Sequence, residues 1–124
     1  MSTAKFSTWL NPDGTENYKC RAWVNFNGTG TVAIRAAGNV ASITDNGTGD
    51  YTVNFTTAMP DADYSMNVSS NWQYGGSNTA ADIGVFSSSS AIVPPTTTAA
   101  RFTTKYNPIG TAYDFTYLCV SIHR

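Results

Sequence analysis

Apolar and polar residues alternate most clearly between residues 20 and 64. Cys20, Ala22, Val24 and Phe26 alternate with Arg21, Trp23 and Asn25, and farther on Val32 and Ile34 alternate with Ala33 and Arg35. A two-residue period is that of a strand whose two faces differ. Asn27, Gly28, Thr29 and Gly30 separate these runs, and DNGTG (45–49) precedes a third alternation on Tyr51, Val53 and Phe55. Asn, Asp and Gly tolerate the positive φ of a tight reversal, so the whole stretch reads as a meander of strands and hairpin turns.

The pattern continues more loosely toward the C-terminus. Tyr64, Met66 and Val68 repeat the period after the turn AMPDAD, which predicts a hairpin with the strand of Tyr51, Val53 and Phe55. ADIGVFS (81–87) reads as a short strand with Ile83 and Val85 opposed to Phe86. The segment after it contains Pro94 and Pro95, which cannot donate ladder hydrogen bonds, so it crosses between sheets or lies at an edge. RFTTKY (101–106) and AYDFTYLCVSIH (112–123) complete the set. In the last run Tyr113, Phe115, Tyr117 and Cys119 fall on one face and Leu118, Val120 and Ile122 on the other. Antiparallel sheets usually keep one face polar, so a strand apolar on both is expected either to run through the centre of the domain or to meet another subunit. No apolar stripe of helical period is present. The prediction is an all-β protein: an antiparallel, jelly-roll-like β-sandwich of about eight short strands over residues 18–124, preceded by an N-terminal arm over 1–17.

That arm carries Phe6, Trp9 and Leu10 among polar neighbours, followed by the turn signal NPDGTEN. Three bulky apolar side chains need cover. They pack across an open edge of the chain's own sheet, or they dock on a neighbouring subunit.

The run RAWVNFNGTGTVAIRA, with NV and then SITDNGTGDYTVNFTTAMPDADY, resembles a module found near the C-termini of tail-fibre and related virion structural proteins of tailed phages, especially those of aquatic hosts. The resemblance spans about residues 18–64. The terminal LCVSIHR is similar to the last strand of that family, and residues 65–108 lie outside the likeness. It implies a virion part, with a receptor-binding tip as one form, and transfers no catalytic residue.

Composition narrows the partners. Charged residues are 12% of the chain, against about 25% in ordinary soluble domains, and Thr, Ser, Asn and Gly take their place. A net charge of −1 with scattered basic residues gives no footprint for nucleic acid. No apolar run reaches the roughly 20 residues of a membrane span, and MSTAKFSTWL lacks the apolar core of a signal peptide. A chain made in the host cytoplasm and carried in the virion, without membrane insertion, is the expectation.

Candidate chemistry is sparse. The loop NWQYGGSNTAAD (71–82) sets Trp72 and Tyr74 beside two glycines and between Asn71 and Asn78, which suits stacking on a host-surface glycan or contact with another virion protein, or packing over a core edge. Cys20 and Cys119 lie in the first and last strands. They are expected as core thiols, or as a staple closing a loop of about 100 residues. Asp61 and Asp63 read as turn residues, as do Asp45, Asn46 and Asp50, which lack the late bidentate Glu of a calcium loop. The single histidine, His123, is penultimate, and no phosphate-binding glycine loop or paired catalytic carboxylate is visible, so neither catalysis nor a cofactor or metal is expected. Together these features point to a phage virion structural protein that assembles as a homotrimer through Phe6, Trp9 and Leu10 and through Tyr113, Phe115 and Tyr117. A capsid decoration or cement protein is the alternative, favoured by a short chain that starts with its own methionine and has no shaft. A carbohydrate-binding module acting through Trp72 and Tyr74 is the alternative of another class.

Overall fold

A computed structural model of the chain describes residues 2–15, 17–71, 81–106 and 110–124, with the backbone alone at Ala81. Nine strands are formed among them: β1 (Cys20–Asn27), β2 (Ala33–Gly38), β3 (Val40–Gly47), β4 (Asp50–Phe55), β5 (Ser65–Ser70), β6 (Ala81–Val85), β7 (Ala99–Tyr106), β8 (Thr111–Ala112) and β9 (Leu118–His123). They make two antiparallel sheets, one in the order β2-β1-β9-β5 and the other β3-β4-β7-β6, with β8 paired to β7. The all-β sandwich anticipated above is what forms. The first strand pairs with the last at the centre of one sheet, and β4 pairs with β7 at the centre of the other. The first and last strands are thus nested around the β4–β7 pair, with the hairpin strands β2 and β3 added at one edge of each sheet.

Both predicted hairpin turns form. Asn27 Oδ1 accepts from the Thr29 backbone N–H at 3.0 Å, and Gly30 supplies the positive φ that returns the chain from β1 to β2. Asp45 Oδ1 does the same for the Gly47 N–H at 3.0 Å in the β3–β4 turn, which Gly49 completes at φ 64°. The meander breaks between these hairpins, because Asn39 adopts φ 55° and carries the chain from one sheet to the other. Its amide holds the corner: Nδ2 donates to the Arg21 and Thr57 carbonyls at 3.0 and 3.1 Å, and Oδ1 accepts from the Thr57 N–H at 2.7 Å. A single Asn thus replaces the backbone bonds that both sheets lose at the crossing.

Two other expectations are corrected. β4 and β5 do not form a hairpin, since they belong to opposite sheets. Their apolar faces meet across the interior, where Phe55 and Tyr64 pack edge to face with centroids 5.8 Å apart. The run ending in LCVSIH is not one long strand either. β9 begins at Leu118, and Leu118, Val120 and Ile122 are buried while Cys119 is exposed, so its two faces differ in the ordinary way. The proline-containing segment joins β6 to its own neighbour β7 and so returns along an edge without changing sheets.

The core follows from the alternation. Ala22, Val24 and Phe26 of β1 and Leu118, Val120 and Ile122 of β9 face Tyr51, Val53 and Phe55 of β4 and Ala100 and Phe102 of β7. Phe26, Tyr51 and Phe102 form its centre, with ring centroids 5.3, 5.6 and 6.3 Å apart. Tyr51 is completely buried, and its hydroxyl makes a short hydrogen bond to the Asp114 carboxylate, with the Gly28 carbonyl oxygen 3.1 Å away. Burial first, and then the hydrogen bond to Asp114 and its charge, push the phenol far above its usual range, so it stays a neutral donor. Asp114 also accepts from the Gly49 N–H at 2.7 Å, tying the β3–β4 turn to the segment before β9.

One ion pair joins the central strands of the second sheet. Asp50 is 5% exposed and receives both Nε and Nη2 of Arg101 at 2.8 Å. Those hydrogen bonds hold its carboxyl below the ordinary value of 3.8. A folded-state pKa below the unfolded one stabilises the protein above the unfolded pKa, and that contribution is lost as pH falls through the folded value. Arg101→Met is expected to lower stability at neutral pH by about 2 kcal/mol, less than for a fully buried pair because Arg101 is partly in water. The mutant should also lack part of the gain in melting temperature that the wild type shows between about pH 3 and pH 5. Equal acid limbs for the two proteins would contradict this role for Asp50.

Candidate functional site

The predicted recognition residues fall into three groups along the chain. On the arm, residues 11–15 close a turn of their own: the Asn11 N–H donates to the Thr15 carbonyl at 2.8 Å, the Gly14 N–H to the Asn11 carbonyl at 2.9 Å, and Asp13 Oδ1 accepts from the Thr15 N–H and hydroxyl at 2.9 and 2.6 Å. The Asn17 N–H donates back to the Trp9 carbonyl at 2.7 Å. Local bonds thus close the chain between Trp9 and Asn17, while the apolar side chains stay exposed. Phe6 is 75% exposed, Trp9 63% and Leu10 51%. The expectation that these three pack on the chain's own sheet is not met.

The second group follows β5 in the chain. Trp72, Tyr74 and Asn78 lie outside the described residues. Asn71, at its start, accepts at Oδ1 from the Tyr117 N–H at 2.9 Å and donates its own N–H to the Tyr117 carbonyl at 3.1 Å. Its amide thus serves to pin the end of β5 to the lead-in of β9.

The third group reaches the outer face of the β2-β1-β9-β5 sheet, where Tyr117 sits. Strand register arranges this face in rows. Gly38, Trp23, Ser121 and Asn67 lie side by side across the four strands, and Ala36, Asn25, Cys119 and Ser69 form the next row. Below them Cys20, His123 and Ser65 align. Trp23 is 44% exposed and lies across Gly38, whose missing Cβ would collide with the indole Nε1 and Cδ1. Only glycine permits this seat, and the ring in turn covers the glycine backbone. At the far end Arg35 stacks its guanidinium 3.9 Å from the centre of the Tyr117 ring and reaches Asn25 Oδ1 at 3.4 Å.

The three aromatic residues expected as a subunit interface near β9 therefore separate. Phe115 is a core residue at 2% exposure, and Tyr113 packs against the core with its ring centroid 5.1 Å from that of Phe115. Only Tyr117 is on the outside. The difference arises because residues 113–117 are not part of a strand and their side chains do not alternate.

Both cysteines are free and exposed, which corrects the staple and the core-thiol readings together. Cys119 lies opposite Asn25 and Cys20 opposite His123. Five positions along β1 separate the two thiols by on the order of 16 Å, well beyond the roughly 7 Å limit for a bridge. A bulge between Cys20 and Ala22 takes Cys20 out of the apolar alternation that predicted its burial.

The acidic residues serve the fold. Asp61 Oδ1 accepts from the Asp63 N–H at 2.9 Å, and its carboxylate pairs with Arg124 at 2.8 Å, which holds its pKa down at about 2. Asp50, expected in a solvated turn, is the buried partner of Arg101. Among the described residues no group of three or more His, Cys, Asp or Glu side chains gathers in a way that could hold a metal ion. Asp50, Asp114 and Asn39 carry the structural polar contacts that sequence reading missed. Asp50 and Asn39 sit beside glycines, where a turn residue and a buried or bridging polar group look alike, and Asp114 is hidden among the aromatic residues 113–117.

No family model matches the chain, and no curated protein and no solved structure matches it.

The free thiols give a direct check. In the folded protein an aromatic disulfide reagent should titrate both cysteines rapidly, and reductant should leave the melting temperature unchanged. A fall of several degrees on reduction would show a bond between Cys20 and Cys119.

Proposed function

We propose that the chain is a structural protein of a tailed-phage virion, a tail-fibre or receptor-binding tip component that assembles as a homotrimer. It has no catalytic role in this reading, is made in the host cytoplasm and functions in the virion. The observation that carries the proposal is the arm: Phe6, Trp9 and Leu10 are each more than half exposed, although local hydrogen bonds close the chain between Trp9 and Asn17. Such a combination is costly in water unless another surface covers the rings. The likeness of residues 18–64 to virion modules supports the same reading, as does an exterior poor in charge and rich in Ser, Thr and Asn.

Light scattering tests it. The full chain at micromolar concentration should have three times the 13.3 kDa mass of one chain, and deletion of residues 2–15 should reduce it to a monomer with its strand signature intact. A full-length monomer would refute assembly through the arm. A trimer that survives the deletion would move the interface elsewhere.

A further inference from the structure

We propose that the outer face of the β2-β1-β9-β5 sheet binds a neutral oligosaccharide, with Trp23 as the stacking platform and Tyr117 as a second aromatic contact. This stands on the sheet face alone and is independent of the trimer. Three observations converge on it.

The first is the seat of Trp23. One face of its ring is against Gly38, and the side chains that share its row are Ser121 and Asn67. These row neighbours are shorter than the indole, and with Trp23 44% exposed the ring keeps surface open to a flat ligand. An aromatic ring fixed by packing offers contact area at little entropic cost, and its electron-rich face attracts the weakly positive C–H edge of a sugar ring.

The second is the chemistry around the ring. Asn25, Asn67, Ser69, Ser65 and Ser121 present amides and hydroxyls, which can both donate to and accept from ligand hydroxyls. The three rows contain no Asp, Glu, Lys or Arg. The one cation at their border, Arg35, is engaged with the Tyr117 ring and Asn25 Oδ1, so the rows around Trp23 complement an uncharged polyhydroxylated ligand. The same rows argue against a second copy of the chain as occupant. Their only large apolar group is one indole, whereas a stable protein interface buries about 800 Å² per partner around an apolar centre.

The third is the spacing. Trp23 lies opposite Ser121, four residues beyond Tyr117 along the same chain. Tyr117 lies one residue before β9, so at strand rise the two positions are about 13 Å apart along the chain direction, with Asn25 and Cys119 between them. A single sugar cannot reach both, so the ligand is a chain of several sugar units running along the strands. Arg35, stacked on Tyr117 and reaching Asn25 Oδ1 at 3.4 Å, fixes the far ring against the strip.

The test is a titration followed by the indole N–H signals of isotope-labelled protein. The probes are four neutral hexasaccharides: malto-, cello-, manno- and N-acetylchito-oligomers. At least one is expected to displace the Trp23 signal saturably. Trp23→Ala should then weaken binding about tenfold or more, while Trp23→Phe should retain much of it. Ser121→Arg should abolish binding by covering the platform without removing the ring, which keeps the test valid if Trp23→Ala fails to fold. Absence of displacement by all four sugars would overturn the proposal. So would binding that both Trp23→Ala and Ser121→Arg leave intact. A Trp23 signal that moves with protein concentration instead of sugar would show that a second copy covers this face, and would overturn it too.

Discussion

Two sheets are held together here by rings that meet in the middle. Phe26 comes from one sheet and Tyr51 and Phe102 from the other, and each is fully buried. Burying a tyrosine at that point imposes a constraint, because its hydroxyl must find an acceptor inside the domain. Asp114 meets it, and its carboxylate also fastens Gly49. The path of residues 113–117, the closure of the β3–β4 hairpin and the depth of Phe115 all follow from satisfying this one group. Tyr64 repeats the arrangement on a smaller scale. Its hydroxyl lies 2.9 and 3.0 Å from the Thr96 and Ala99 carbonyls, holding the return between β6 and β7, and burial raises its pKa to about 12.

Much of this was legible in the sequence, for a physical reason. The inward positions of β1, β4 and the true β9 are apolar without exception, and a period of two leaves no freedom in which residues face the core. The turns were legible because Asn27 and Asp45 close them with their own side chains. What could not be read was which sheet each strand joins. β4 and β5 look like a hairpin, since apolar faces that oppose one another along a turn and across a sandwich have the same pattern. The sheet change at Asn39 hides for a similar reason: an Asn before a Val is common, and its positive φ has no sequence mark. β2 and β3 are exposed at most positions, so hydropathy says little about them. Residues 113–117 misled the reading because three aromatic residues at alternate positions imitate a strand where the chain is irregular.

The surfaces follow a different logic from the core. Trp23 was placed outward by the same alternation that put Val24 inside, yet its significance depends on Gly38, fifteen residues away and adjacent only through the β1–β2 register. Cys20 and Cys119 share that face and are kept apart by register as well. The arm lies outside the sandwich, closed by local bonds between Trp9 and Asn17 and bearing apolar side chains that the domain does not need. Stability therefore resides in the nested centre, β1 with β9 and β4 with β7, while the arm and the outer sheet face are the surfaces to which we assign the proposed assembly and ligand recognition. Changes there should alter binding with little effect on the fold.

Amide hydrogen exchange on the intact chain, measured residue by residue, tests that division most directly. Globally protected amides should map to β1, β4, β7 and β9, with β2 and β3 exchanging sooner at their outer edges, and with protection of residues 6–10 rising with protein concentration. Slowest exchange in β2 or β3, or arm protection that persists unchanged on dilution, would contradict the account by showing that the edges or the arm belong to the core.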